Sequence, residues 1–126
     1  MQVEPYSDAL HLEEMIRWNT RRSLPAPIAA KRPEIGLVVP GLAIGFVVQT
    51  DTTFAMVEGL ITNPESDKAL RAKAIRLLVL SLCAAAKDRG YSDVWAVTAR
   101  PEVRDLAGPL GLRVGDELHW TIFKRL

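Results

Sequence analysis

The chain has 126 residues, which is room for one compact domain, residues 1–126, and no more. Nearly half of it (48%) is hydrophobic and a quarter (25%) is charged, so a core can form without disulfides or metal staples. Sixteen Lys and Arg against fifteen Asp and Glu leave +1, with no global bias toward nucleic acid or an anionic membrane.

One cysteine, Cys83, excludes a disulfide framework within the monomer and any cysteine-based zinc cluster. His11 and His119 are far apart and lack ligand spacing, so no metal is expected. A lone cysteine fits a reducing, cytoplasmic compartment. The opening MQVEPYSDAL lacks the basic-then-apolar order of a signal peptide. The most apolar runs are Val38–Val48, broken by Pro40, Gly41 and Gly45, and Leu77–Ala86. Both fall short of the ~20 residues that cross a bilayer, and no membrane partner is expected.

In chain order, Gln2–Pro5 is a candidate edge strand, followed by a predicted helix over Asp8–Trp18 with Ser7 as N-cap. Thr20–Pro33, rich in proline and basic residues, reads as a loop. Ile35–Val39 and Leu42–Gln49 read as strands joined at the turn-forming Pro40-Gly41, and Phe54–Thr62 as a third, making an antiparallel meander. A long helix is predicted between Ser66 and Arg89. Its segment Leu77–Ala86 is apolar almost all round and predicts cover on more than one side. Ser92–Thr98 reads as a strand, Pro101–Ala107 as a short helix, and Leu112–Gly115 and Leu118–Arg125 as two last strands. In the last strand Leu118, Trp120 and Ile122 alternate onto one face.

The order is therefore β-α-β-β-β-α-β-α-β-β. The strand, long helix, strand passage needs a crossover and makes its two strands parallel neighbours. The expected fold is a mixed α/β, mostly antiparallel sheet with a central long helix.

This order, together with four local phrases, resembles the GNAT superfamily of acyl-CoA-dependent N-acetyltransferases. The phrases are Val57-Glu58-Gly59-Leu60-Ile61-Thr62-Asn63-Pro64 at the end of the middle strand, Gly45 after the Pro40-Gly41 turn, Leu110-Gly111-Leu112, and the closing Trp120–Leu126. The resemblance implies acetyl-CoA as acyl donor. Its diphosphate would sit on backbone amides opening the long helix, in the register Arg71-Ala72-Lys73-Ala74-Ile75-Arg76. Its pantetheine arm would lie between the splayed strand ends at Leu60, Ile61 and Thr62 and at Val97 and Thr98. The strand carboxylate, Glu58, would take the proton of an amine through water.

The residues depart from the family pattern in two places. Ala74 and Arg76 stand where the family has small residues that let phosphate approach bare backbone. The stretch from Pro64 to Arg71 is about four residues longer than the family form, and a helix starting at Asp67 would use the amides of 71–76 internally. Lys68, Arg71, Lys73 and Arg76 cluster near the helix start, either around a bound anion or as solvated surface cations. The family's tyrosine acid falls on Ala107, and its common asparagine on Arg100. Tyr91 lies ~20 Å from Thr98 by strand rise, and nothing in the sequence places Tyr6 at the site.

Glu58 reads as a general base or as a polar residue on an exposed strand face. Cys83, Trp95 and Trp120 read as core, while Trp18, Arg21 and Arg22 read as the border of an acceptor groove or as loop anchors. Two functions follow. One is a slow or degenerate N-acetyltransferase acting on an amine, whether of a small molecule, a protein N-terminus or a lysine. The other is a non-catalytic GNAT-fold binding or assembly protein, a homo-oligomer or a subunit of a larger complex.

Overall fold

The structure, a computed structural model, describes residues 1–24, 31–98, 105, 108–111, 113–114 and 120–126. Its strands are β1 (Glu4–Pro5), β2 (Ile35–Val39), β3 (Ala43–Val48), β4 (Phe54–Thr62), β5 (Asp93–Thr98), β6 (Arg113–Val114) and β7 (Trp120–Arg125). Helix α1 spans Asp8–Arg21, α2 spans Lys68–Asp88, and Gly108–Leu110 forms a 3-10 turn. The seven strands form one sheet in the order β1-β2-β3-β4-β5-β7-β6. Among the described residues, only β4 and β5, the strands bridged by α2, run parallel.

Alternation along the meander sorts side chains to two helices. Ala43 and Val47 of β3 join Ala74, Leu78, Leu82 and Cys83 of α2 in one buried cluster. Ile44 and Phe46, on the opposite face, join Met15 and Trp18 of α1. Close approach of α2 is possible because Gly45 lies beneath it: a Cβ there would come within 2.7 Å of Leu60 Cδ2 and 3.0 Å of Leu82 Cδ1. Burial of a leucine such as Leu78 or Leu82, both 0% exposed, contributes about 1.5–3 kcal/mol.

Several boundaries differ from the sequence expectation. Helix α1 continues past Trp18 to Arg21, because no proline intervenes before Pro25 and Thr20 Oγ1 bonds Ile16 O at 2.9 Å. It stops where Ser23 takes a left-handed φ of 54°. Helix α2 packs inward on Ala74, Leu78, Val79, Leu82, Cys83 and Ala86, whereas Leu80 and Ala84 on its outer side are exposed. Cover on more than one side was expected from its composition and is not found at those two residues. Trp95 is 37% exposed rather than core, tilted against Phe54 with ring centroids 5.6 Å apart. The predicted helix Pro101–Ala107 lies outside the described residues except for Asp105, which is helical; of the expected alternation Leu118 also lies outside them, while Trp120 and Ile122 belong to β7.

The register between β3 and β4 slips once. Phe46 faces Glu58 and Ile44 faces Ile61, so Gly45 alone is opposed by Gly59 and Leu60. Gly59 adopts φ +65°, the left-handed conformation that glycine supplies to such bulges. The extra residue reverses the phase of the strand. Ala55 and Val57 point toward α2, and past the bulge it is Leu60 that turns that way, leaving Ile61 for the α1 cluster. Without the bulge, Leu60 and Ile61 would exchange faces. Gly59→Ala should therefore cost ~1–2 kcal/mol in chemical or thermal unfolding, since an L side chain resists this φ and its methyl would lie 3.0 Å from Phe46 Cδ2.

Candidate functional site

The bulged strand ends at a cleft. Strands β4 and β5 pair only at Phe54 with Asp93, Ala55 with Val94 and Met56 with Trp95. Beyond Met56, β4 continues to Thr62 without a β5 partner among the described residues, while β5 stays paired with β7 as far as Thr98. Two parallel strands that part in this way leave main-chain edges facing one another across a gap. Such edges can hydrogen-bond an extended, amide-bearing ligand.

The opposite end of the β4–β5 pair is pinned. Tyr91 Oη donates to Thr50 O at 2.7 Å and accepts from Thr50 N at 3.0 Å, and Ser92 N donates to Thr53 O at 2.9 Å. Tyr91 thus belongs to the closed end, away from the cleft.

Glu58 is exposed on β4, two positions beyond the last β4–β5 pair, with Phe46 as its cross-strand neighbour. Tyr6 packs edge-on against that same Phe46, centroids 4.9 Å apart, which places a tyrosine on the Glu58 side of the sheet. No local signal announces this contact, because it is made across three strands. The Tyr6 hydroxyl donates to Asp8 Oδ1 at 2.7 Å. Burial, that hydrogen bond and the Asp8 charge hold its pKa far above the ordinary phenol range, against a smaller opposing pull from Arg32. A phenol held so firmly in its protonated form is a poor proton donor at neutral pH.

The start of α2 decides what the far end of the cleft can hold. Asp67 is its N-cap: the carboxylate accepts from Leu70 N at 3.1 Å, and the carbonyl accepts from Arg71 N at 2.9 Å. The longer stretch after Pro64 is thus coiled into an added first turn of helix. The amides of Arg71, Lys73, Ala74, Ile75 and Arg76, expected to cradle a diphosphate, lie inside the helix and bond its own carbonyls. Ala74 is 0% exposed in the core, and Ile75 is half-buried against it. The Arg71 guanidinium is turned back onto the carbonyls of Pro64 and Ser66. Of that group only Lys73 and Arg76 are exposed to solvent. A carboxylate at the helix N-terminus repels a diphosphate and already occupies the capping position.

Among the β4 residues expected at the pantetheine arm, Leu60 turns its side chain to Gly45 and α2, and Ile61 is buried toward α1. The Thr62 hydroxyl and carbonyl accept from Arg22 at 2.7 and 3.2 Å. None of these three side chains is turned to the gap, and the Thr62 carbonyl is already engaged by Arg22. Trp18, 2% exposed, is an anchor, and Arg21 forms an ion pair with Glu65. Arg21 and Arg22 together tie the end of α1 to the end of β4. The positions expected for the family tyrosine and asparagine, Ala107 and Arg100, lie outside the described residues. Among the described residues there is no metal-binding group, and no helix is long and apolar enough to cross a membrane.

No protein-family model matches the chain, and no curated protein matches it. Solved structures do. A Klebsiella pneumoniae protein assigned as an acyl-CoA N-acyltransferase aligns with a TM-score of 0.74 over 99% of this chain and 97% of its own, at 16% identity. An acetyltransferase of the GNAT family from Staphylococcus aureus gives 0.72 over 99% and 98%, at 10% identity. A Mycobacterium tuberculosis protein solved with CoA gives 0.72 over 100% and 99%, also at 10% identity.

Two outcomes follow from this geometry. Native-state hydrogen exchange should find the amides of 71–76 protected, and Asp67→Ala should lower stability by ~1 kcal/mol through loss of the cap. For Tyr6, a 295 nm titration should show a phenol ionising well above the ordinary phenol range, lowered by Asp8→Asn. Because the unfolded chain releases that proton first, stability should fall as pH rises above ~10.

Proposed function

We propose that this chain, which has the GNAT fold, binds an acyl thioester arm in the β4–β5 cleft and transfers the acyl group slowly to an amine. The observation that supports this reading is the parting of β4 and β5 after Met56 and Trp95, with exposed Glu58 beside the gap. A thioester supplies an activated acyl carbon. The main-chain edges at Leu60, Ile61 and Thr62 align the arm, and the Gly59 bulge turns the Leu60 side chain out of its path. Glu58 takes, through water, the proton that the amine sheds as its nitrogen bonds the acyl carbon. The carbon–sulfur bond breaks, and water returns a proton to the sulfur. Tyr6 is engaged with Asp8 and takes no part as acid, which accounts for a slow rate: general acid catalysis contributes typically ~10²–10⁴-fold.

The parting of β4 and β5 supports a place for the arm, whereas the start of α2 argues against the diphosphate of acetyl-CoA in the expected register. The Asp67 cap and the Arg71 side chain fill the place where main-chain donors would be needed. That same observation favours a second reading, in which the fold serves as a non-catalytic binding or assembly protein. The acceptor on the first reading is an amine, of a small molecule or of a protein N-terminus or lysine.

Incubation with acetyl-pantetheine and a panel of amines, read by mass spectrometry, separates the two. Acetylated amine should form with the wild-type protein, and Glu58→Gln should lower turnover by about 10²-fold while leaving the affinity for the arm unchanged. Equal turnover by the variant would reject Glu58 as base. Absence of both binding and product would leave the assembly reading.

A further inference from the structure

We infer that the thioester donor is presented by an acidic carrier protein bearing a phosphopantetheine arm, which docks on the outer face of α2, and not by free acetyl-CoA. The inference rests on the cleft reading above. A pantetheine arm comes on two kinds of carrier: a nucleotide joined through a diphosphate, or a protein serine joined through a single phosphodiester. The first turn of α2 commits the amides of 71–76 to the helix, with Asp67 capping Leu70 and Arg71 turned onto Pro64 and Ser66, so the donors expected for a diphosphate are taken. The parting of β4 and β5 after Met56 is independent of that arrangement, and Arg76 is exposed to solvent.

The surface beside the cleft suits the second carrier. Helix α2 begins where β4 ends, so its first turns stand at the end of the sheet where β4 and β5 have parted. Lys68, Lys73 and Arg76 are exposed there and have no ion pair among the described residues. The nearby acids are otherwise engaged, Glu65 with Arg21 and Asp67 with the Leu70 amide. Lys68, Ala72, Arg76 and Leu80 follow one another at i, i+4 spacing, and Lys73 lies beside Arg76, so the cations line one face that continues into Leu80, 44% exposed. Helix stability does not call for Lys68, since a cation in the first turn is disfavoured by the dipole, and Lys73 and Arg76 lie beyond that turn. In a chain of net charge +1 the excess is local. A positive strip ending in an exposed leucine complements an acidic protein surface, and screened long-range attraction would steer the encounter.

Three probes test this in one fluorescence-polarisation format: acetyl-pantetheine, acetyl-CoA and an acetylated acyl carrier protein of acidic net charge. The carrier protein should bind at least about tenfold more tightly than acetyl-CoA and weaken several-fold from about 50 to about 300 mM salt. The triple variant Lys68→Glu/Lys73→Glu/Arg76→Glu should abolish that advantage while leaving acetyl-pantetheine affinity unchanged. Acetyl-CoA binding tenfold more tightly than the bare arm would show a diphosphate site and overturn the inference, with the cleft reading intact. Carrier binding unchanged in the triple variant would overturn it equally. If none of the three probes binds, the cleft reading itself fails, and the inference with it.

Discussion

The carboxylate of Asp67 on the amide of Leu70 is a single hydrogen bond, yet it determines what the molecule can hold. It sets the first residue of α2, and a helix once started commits each following amide to the carbonyl four residues back. A helix that began one turn later would leave several donors converging on an anion. Here those donors serve the helix, and the Asp67 carboxylate sits at its N-terminus.

The cleft depends on a separate device. Parallel strands in a twisted sheet separate unless something holds them, and β4 is released from β5 just before the Gly59 bulge increases its local twist. The bulge also exchanges the faces of Leu60 and Ile61, sealing the α2 side with one and the α1 side with the other. The gap between the strands is thereby bordered by backbone, while both hydrophobic clusters remain closed.

Most of the fold was legible because its signals are local. The strands Ile35–Val39 and Phe54–Thr62 follow directly from β-branched runs bounded by turn residues. The added residues after Pro64 and the capping aspartate were also visible in the sequence, but whether they form loop or helix depends on the cap geometry. The place of Tyr6 was illegible because it depends on Gly36, where a Cβ would lie 2.8 Å from both Phe46 and Tyr6 Cβ. That small residue admits two aromatic rings to the same face, and nothing near Tyr6 in sequence announces it. Trp95 misled for the opposite reason: a tryptophan in a strand is core only where a second layer covers it, and exposed Trp95 has Phe54 for a ring neighbour.

The Tyr91 hydroxyl, fastened to both main-chain atoms of Thr50, holds the closed end of the β4–β5 pair. At the other end of β4 the strand is held by β3 and by Arg22, not by β5. Whatever is set between the strand ends meets an edge already bound, through Arg22, to the end of the N-terminal helix, so both borders of the opening are anchored by residues distant in sequence.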